Sequence, residues 1–97
     1  MLDPDARFIR KGNIVTRRIA GETLLVPVYG STADMQKLYV LEGAGEFIWQ
    51  QLDGHASLQT VTAAVVELFN VERAVAENDI EELIGKMTDA GLIEKAP

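Results

Sequence analysis

The sequence predicts an α+β fold, a three-stranded antiparallel sheet followed by three helices. Two observations carry that reading. Up to residue 40 the apolar residues come in short β-branched runs separated by turn residues, whereas after Leu41 they recur every three or four positions. The chain has 97 residues, enough for one small domain and too few for two.

Each element follows in order. Residues 1–12 are polar and contain Pro4 and Gly12, so they are expected to form a flexible arm, leaving 13–97 as the single domain. Ile14 to Ile19 (IVTRRI) reads as a strand, Ala20-Gly21 as a two-residue turn, and Thr23 to Val28 (TLLVPV) as the second strand. Pro27 has no N–H for a ladder, so regular pairing should end near it. Gly30 to Asp34 reads as a loop and Gln36 to Val40 (QKLYV) as the third strand. Short connections make these a meander whose first and third strands are edges.

The helical half begins with a stripe of Leu41, Ala44, Ile48 and Leu52, and Asp53-Gly54 reads as its stop. Ser57 is an N-cap for a second helix striped by Leu58, Val61, Val65, Leu68 and Phe69 and broken at Asn70-Val71. Ile80, Leu83, Ile84 and Met87 form the stripe of a third helix. Gly91 is its left-handed stop, and Leu92 is placed to fold back on Met87. The expected core is Ile48, Leu52, Val61, Val65, Leu68, Ile80, Leu83 and Ile84.

Composition narrows the function. The apolar fraction of 47% and charged fraction of 25% are those of an ordinary globular domain. Cysteine is absent, which removes disulfides and thiolate metal sites and suits a reducing cytoplasm. The first twelve residues lack the apolar stretch of a signal peptide, and no run is long enough to span a membrane. A soluble cytoplasmic protein is expected. Residues 1–40 hold six Lys/Arg against four Asp/Glu, and residues 41–97 hold three against eleven. The helical half should therefore repel nucleic acid and acidic membrane surfaces.

No motif points to chemistry. Gly43-Ala44-Gly45 sits where a strand meets a helix, but a dinucleotide loop needs a third glycine where this chain has Ile48. His55 is the only histidine, placed to interact with the negative end of the first helix, and it has no partners for a metal site. Asp79, Glu81 and Glu82 lie away from the apolar stripe and read as a solvated face. Trp49 and Phe47 read as core. No metal, cofactor or catalytic residue is expected, and the chain does not read as an enzyme.

Three strands and three helices in so short a chain are winged-helix-like, which brings DNA binding into question. The third helix would then be the reading helix. Its exposed positions are mainly Glu77, Asp79, Glu81 and Glu82, with Lys86 the main cation, so phosphate contacts are disfavoured. Arg10, Lys11, Arg17 and Arg18 are on the wrong element.

Several segments together suggest a family. They are the leucine closing the third strand (Leu41), the run Gly43 to Trp49 (GAGEFIW), and the stop Leu52-Asp53-Gly54. The evenly striped second helix, Asn70-Val71, and the closing Gly91-Leu92-Ile93 complete the series, with Leu24-Leu25 and Pro27 upstream. Over roughly residues 14–95 the chain resembles the coenzyme PQQ synthesis protein D (PqqD) family, also described as RiPP recognition elements. The resemblance implies a module that binds the leader of a ribosomally made precursor peptide. Such a module presents the peptide to a modifying enzyme, typically a radical SAM protein.

The residues are compatible with that role. An exposed third strand offers backbone groups to a guest strand, and the third helix can wall a groove beside it. The expected lining is Lys37, Leu38, Tyr39 and Val40 on the strand, and Ile80, Leu83, Ile84 and Met87 on the helix. Most of that helical stripe must also serve as core, so only its rim should reach a guest. Two other readings remain at this stage. One is a winged-helix DNA-binding regulator; the other is an adaptor whose exposed edge pairs with a second copy as a homodimer.

Overall fold

The computed structural model describes residues 2–30, 32–33 and 38–97. Its elements are β1 (Arg7–Arg10), β2 (Ile14–Ile19), β3 (Glu22–Tyr29), β4 (Thr32–Ala33), β5 (Tyr39–Leu41), α1 (Ala44–Gln51), β6 (Asp53–Ser57), α2 (Leu58–Phe69), α3 (Arg73–Asp89) and β7 (Ile93–Lys95).

The expected antiparallel meander is β2–β3–β5. β2 and β3 are joined at Ala20-Gly21, both at positive φ (52° and 82°), the left-handed pair that a tight two-residue hairpin requires. The register sets Thr16 opposite Leu25 and Leu25 opposite Tyr39, and likewise Arg18 opposite Thr23 and Thr23 opposite Leu41. Pro27 interrupts only one side. β2 pairs through it, at Ile14, while on the other side β5 pairs as far as Leu25 and β4 begins at Val28. The segment read as a loop thus contributes β4. Of the expected third strand, Tyr39 and Val40 lie in β5, Leu38 precedes it, and Gln36 and Lys37 fall outside the described residues.

A second three-stranded sheet, in the order β6-β1-β7, was not expected, and it corrects the reading of the N-terminal arm. Residues 7–10 form its central strand, and Ala6 and Phe8 are buried in the core. The backbone shows why the segment is held. The Ala6 and Pro4 carbonyls accept the Leu58 and Gln59 N–H groups, which the first turn of α2 would otherwise leave unsatisfied. Arg10 donates to the Trp49 and Gln50 carbonyls at 3.3 Å, placing a cation at the negative end of α1.

Asp53-Gly54 is also corrected. The cap of α1 is Leu52, and Asp53 already begins β6. Gly54 has φ 86°, and a Cβ there would lie 3.3 Å from Ile9 Cδ1, so glycine lets β6 approach β1. His55 is exposed on β6 rather than set against the helix end; its backbone N–H donates to Asp53 Oδ1 at 2.8 Å, and that of Ala56 donates at 3.0 Å. Those two bonds hold the Asp53 carboxyl below its ordinary pKa of 3.8, Ala56 contributing most. With the folded pKa depressed, the stabilisation is present above 3.8 and is lost as pH falls through the lower folded value. Asp53→Ala should therefore reduce the drop in melting temperature seen by thermal unfolding between neutral pH and pH values below 3.8.

The helix ends follow local rules. Ser57 Oγ accepts the Thr60 N–H at 3.2 Å as the N-cap of α2. Asn70 closes that helix at φ 52°. At the end of α3 the Leu92 N–H reaches the Met87 carbonyl and the Gly91 N–H reaches that of Thr88, the two bonds of a Schellman stop. The stop turns the chain so that Ile93 starts β7 instead of extending the helix.

The core joins both sheets to all three helices. Ile48, Leu52, Val61, Val65, Ile80 and Ile84 are buried as expected, with Phe8, Leu25, Leu41, Trp49, Met87, Leu92 and Ile93. Leu68 is not; it is 63% exposed at the flank of the stripe, while Phe69 one position on packs edge-to-face against Phe47 of α1 with ring centroids 5.8 Å apart. Leu83 is half-buried at the margin of the core. Among the described residues no helix is long and apolar enough to cross a membrane.

Candidate functional site

The candidate site is the open edge of β5, and hydrogen-bond direction determines what it offers. Peptide groups along an antiparallel strand point alternately to one neighbour and the other. The Val28 N–H donates to the Asn13 carbonyl at 2.8 Å, so Val28 faces the β2 side. Stepping by two, Val26 and Leu24 also face β2, while Leu25 and Thr23 face β5. Their partners Tyr39 and Leu41 therefore spend their backbone groups on β3. Val40, between them, turns its N–H and C=O outward. Among the described residues no strand pairs with β5 on that side.

The sheet has a second free edge at β2, which is chemically different. It carries Arg17 and Arg18, and Arg18 is tied to Glu46 of α1 by a 2.9 Å ion pair. Charge along an edge discourages strand addition. The β5 edge instead carries Leu38 and Val40, 37% and 42% exposed. An unblocked apolar edge is the better acceptor for an extended peptide.

Helix α3 flanks that edge. A Cβ on Gly45 would lie 3.5 Å from Leu41 Cδ2 and 3.8 Å from Leu83 Cδ2, so the end of β5, the start of α1 and the middle of α3 converge. One turn further along α3, Lys86 Nζ bonds Glu82 Oε1 at 3.0 Å. That bond and the Glu82 charge raise the pKa of Lys86, and Tyr39 adds a smaller contribution of the same sign. Tyr39 is thus within electrostatic reach of α3.

The eight residues expected to line the groove separate into three groups. Leu38, Tyr39, Val40 and Leu83 have surface to offer along the edge, Tyr39 and Leu83 on the side packed against the core and Val40 on the opposite side of the sheet. Ile80, Ile84 and Met87 are core; Met87 is 0% exposed and cannot touch a guest in the free domain without rearrangement. Lys37 lies outside the described residues. The apolar stripe of α3 is thus the floor beneath the site, and its rim is Leu83.

Against this geometry the comparisons can be set. The family model for coenzyme PQQ synthesis protein D (PqqD) matches residues 1–93. The chain belongs to the PqqD family. A comparison with curated proteins yields no match. Among solved structures, one described as TbiB1 in complex with the TbiA(beta) leader peptide superposes with a TM-score of 0.71. That likeness covers 89% of this chain and 94% of the other at 20% identity, which establishes a shared fold.

The PqqD-family match begins at residue 1, in keeping with β1 being integral to the fold. Sequence reasoning passed over the face of the meander turned away from the core. There Val15, Leu24, Val26 and Val40 share one side, as the register requires. A signal for it existed: TLLVPV is apolar at every position after Thr23, where a strand with one wet face would alternate.

Proposed function

We propose that this PqqD-family chain is a leader-peptide-binding adaptor. An extended segment of a ribosomally made precursor pairs with β5, and the domain presents it to a modifying enzyme, a radical SAM protein in the reading the family suggests. The chain itself supplies no chemistry. The reading places it in the cytoplasm, where the precursor is made.

The observation that carries the proposal is the outward-facing Val40 peptide group on an apolar edge walled by Leu83 of α3. The fold shared with a structure described as holding a leader peptide supports it. The exposed side of α3 carries Glu77, Asp79, Glu81 and Glu82, which disfavours the DNA-binding alternative. Energetics specify what the guest must bring. Each added backbone bond contributes about 0.5–1.5 kcal/mol net, whereas micromolar affinity requires roughly 8 kcal/mol. Apolar side chains of the guest, set alternately against Tyr39 and Leu83 on the core side of the sheet and against Val40 on the other side, must provide most of the difference.

Hydrogen exchange during titration with the cognate leader peptide tests the proposal. The Val40 amide should gain protection on saturation, while Tyr39 and Leu41, already bonded to β3, change little. Protection confined to Ile14, Thr16 and Arg18 would move the guest to the β2 edge and overturn the assignment.

A further inference from the structure

Gly85 lies within α3, where glycine weakens a helix relative to alanine. Among the described residues nothing requires it. Its backbone is helical and not left-handed, and a Cβ there would meet nothing within 4 Å. What a glycine still offers at such a position is close approach of another molecule to the helix backbone.

Gly85 also borders a hollow. Two hollows of about 390 and 290 Å³ adjoin along α3 and share Leu2 and Glu81 as walls, so they form one furrow. Its floor is apolar: Phe8 of β1, Leu58 of α2, and Ile80 and Ile84 of α3, with Leu2 lining both halves. Its rim on α3 runs from Glu77 through Glu81 to Asp89, a rise of ~18 Å. Glu81 and Gly85 are each two positions from Leu83, about 200° around the helix. The furrow and the β5 edge thus occupy opposite flanks of α3.

Charge and backbone chemistry specify the occupant. α3 carries five acidic residues and two basic ones, and each basic side chain is already bonded to a glutamate of the same helix, Arg73 to Glu77 and Lys86 to Glu82. A second copy would set one acidic helix against another, and nucleic acid or an anionic membrane would be repelled likewise. The middle of α3 has its N–H and C=O groups bonded within the helix. A guest there finds no strand to pair with and must satisfy its own backbone, as a helix does.

We infer that the furrow docks a cationic amphipathic helix of a protein partner. The helix lays its apolar face on Leu2, Leu58 and Ile84, passes closest at Gly85, and sets Lys or Arg side chains against the acidic rim. The partner's identity rests on the adaptor reading above, under which the helix belongs to the modifying enzyme. Opposite flanks let the domain hold the enzyme in the furrow while the leader lies on β5.

Calorimetric titration of the domain with its purified cognate modifying enzyme, with and without leader and at low and high salt, tests the inference. Wild-type affinity for the enzyme should fall as salt rises. Gly85→Leu fills the furrow and favours the helix, so it should melt higher than wild type. It should lose enzyme affinity by about tenfold or more, and keep leader affinity within about twofold because the two sites are separate. Asp89→Lys places a cation at the C-terminal end of α3, where it suits the helix, and should weaken enzyme binding and flatten its salt dependence. A stably folded Gly85→Leu domain that binds the enzyme as wild type does overturns the inference. So does enzyme affinity that is absent or indifferent to salt. The adaptor reading fails differently, by a leader that does not bind while Gly85→Leu still releases the enzyme.

Discussion

Val40→Pro is expected to weaken leader binding by at least tenfold while leaving the domain folded, the combination that separates the site from the scaffold. Proline removes the one N–H that β5 presents outward, and its ring occupies the space where a guest strand must come within about 4.8 Å. Among the described residues no strand pairs with that N–H, so its loss costs the fold little. The side chain is 42% exposed, and replacing it leaves no core cavity. Tyr39→Pro is the contrasting change. Its amide faces Leu25 of β3, so proline there breaks the ladder and should lower the melting temperature sharply. Calorimetric titration with the leader peptide, paired with thermal unfolding of each variant, reads both effects. Undiminished binding by a folded Val40→Pro domain would remove β5 as the acceptor.

Deleting residues 2–10 is expected to unfold the chain outright. Among the described residues β1 alone bridges β6 and β7, so its removal dissolves that sheet. Phe8 leaves the core; truncating a buried phenylalanine to alanine alone costs about 3–5 kcal/mol. The first two N–H groups of α2 lose the Ala6 and Pro4 carbonyls. Against a total stability of about 5–15 kcal/mol for a small domain, these losses together are decisive. Loss of amide dispersion in a nitrogen–proton correlation spectrum would show it. Phe8→Ala, a milder change, should remain folded at low temperature and melt earlier. A truncated chain with an unchanged melting temperature would return residues 1–12 to the status of a loose arm.

How far the fold and site could be read in advance depends on the range over which each feature is encoded. The helices, the Ser57 cap, the Asn70 break and the Gly91-Leu92 stop rest on residues within about a turn of one another, and all are present. The Ile19-Ala20-Gly21-Glu22 hairpin is equally local, so the β2–β3 register could be read from the chain. β1, β6 and β7 hold four, five and three residues, too short for a period to show, and each exists only because a partner distant in sequence completes its ladder. Gly54 illustrates the ambiguity. Its positive φ suits a helix stop and a close strand crossing equally, and only the nearness of Ile9 distinguishes them.

The site divides along the same line. By itself the sequence determined the apolar character of the third strand, the acidic exposed face of α3, and the pairing of an edge strand with a striped helix. Tertiary structure alone decided which members of that stripe can be touched. Leu83 and Met87 repeat at the same helical spacing, yet Met87 is fully buried in the core and Leu83 lies near the end of β5. Leu68 continues its stripe by spacing and ends in solvent while Phe69 packs on Phe47, because periodicity describes a broad face and only the neighbouring elements decide how much of its width is covered. The direction of the Val40 amide is not a property of Val40. It is inherited through two strand registers from the Val28–Asn13 hydrogen bond, and hydrogen-bond direction across a sheet is set by pairing, which no single strand contains.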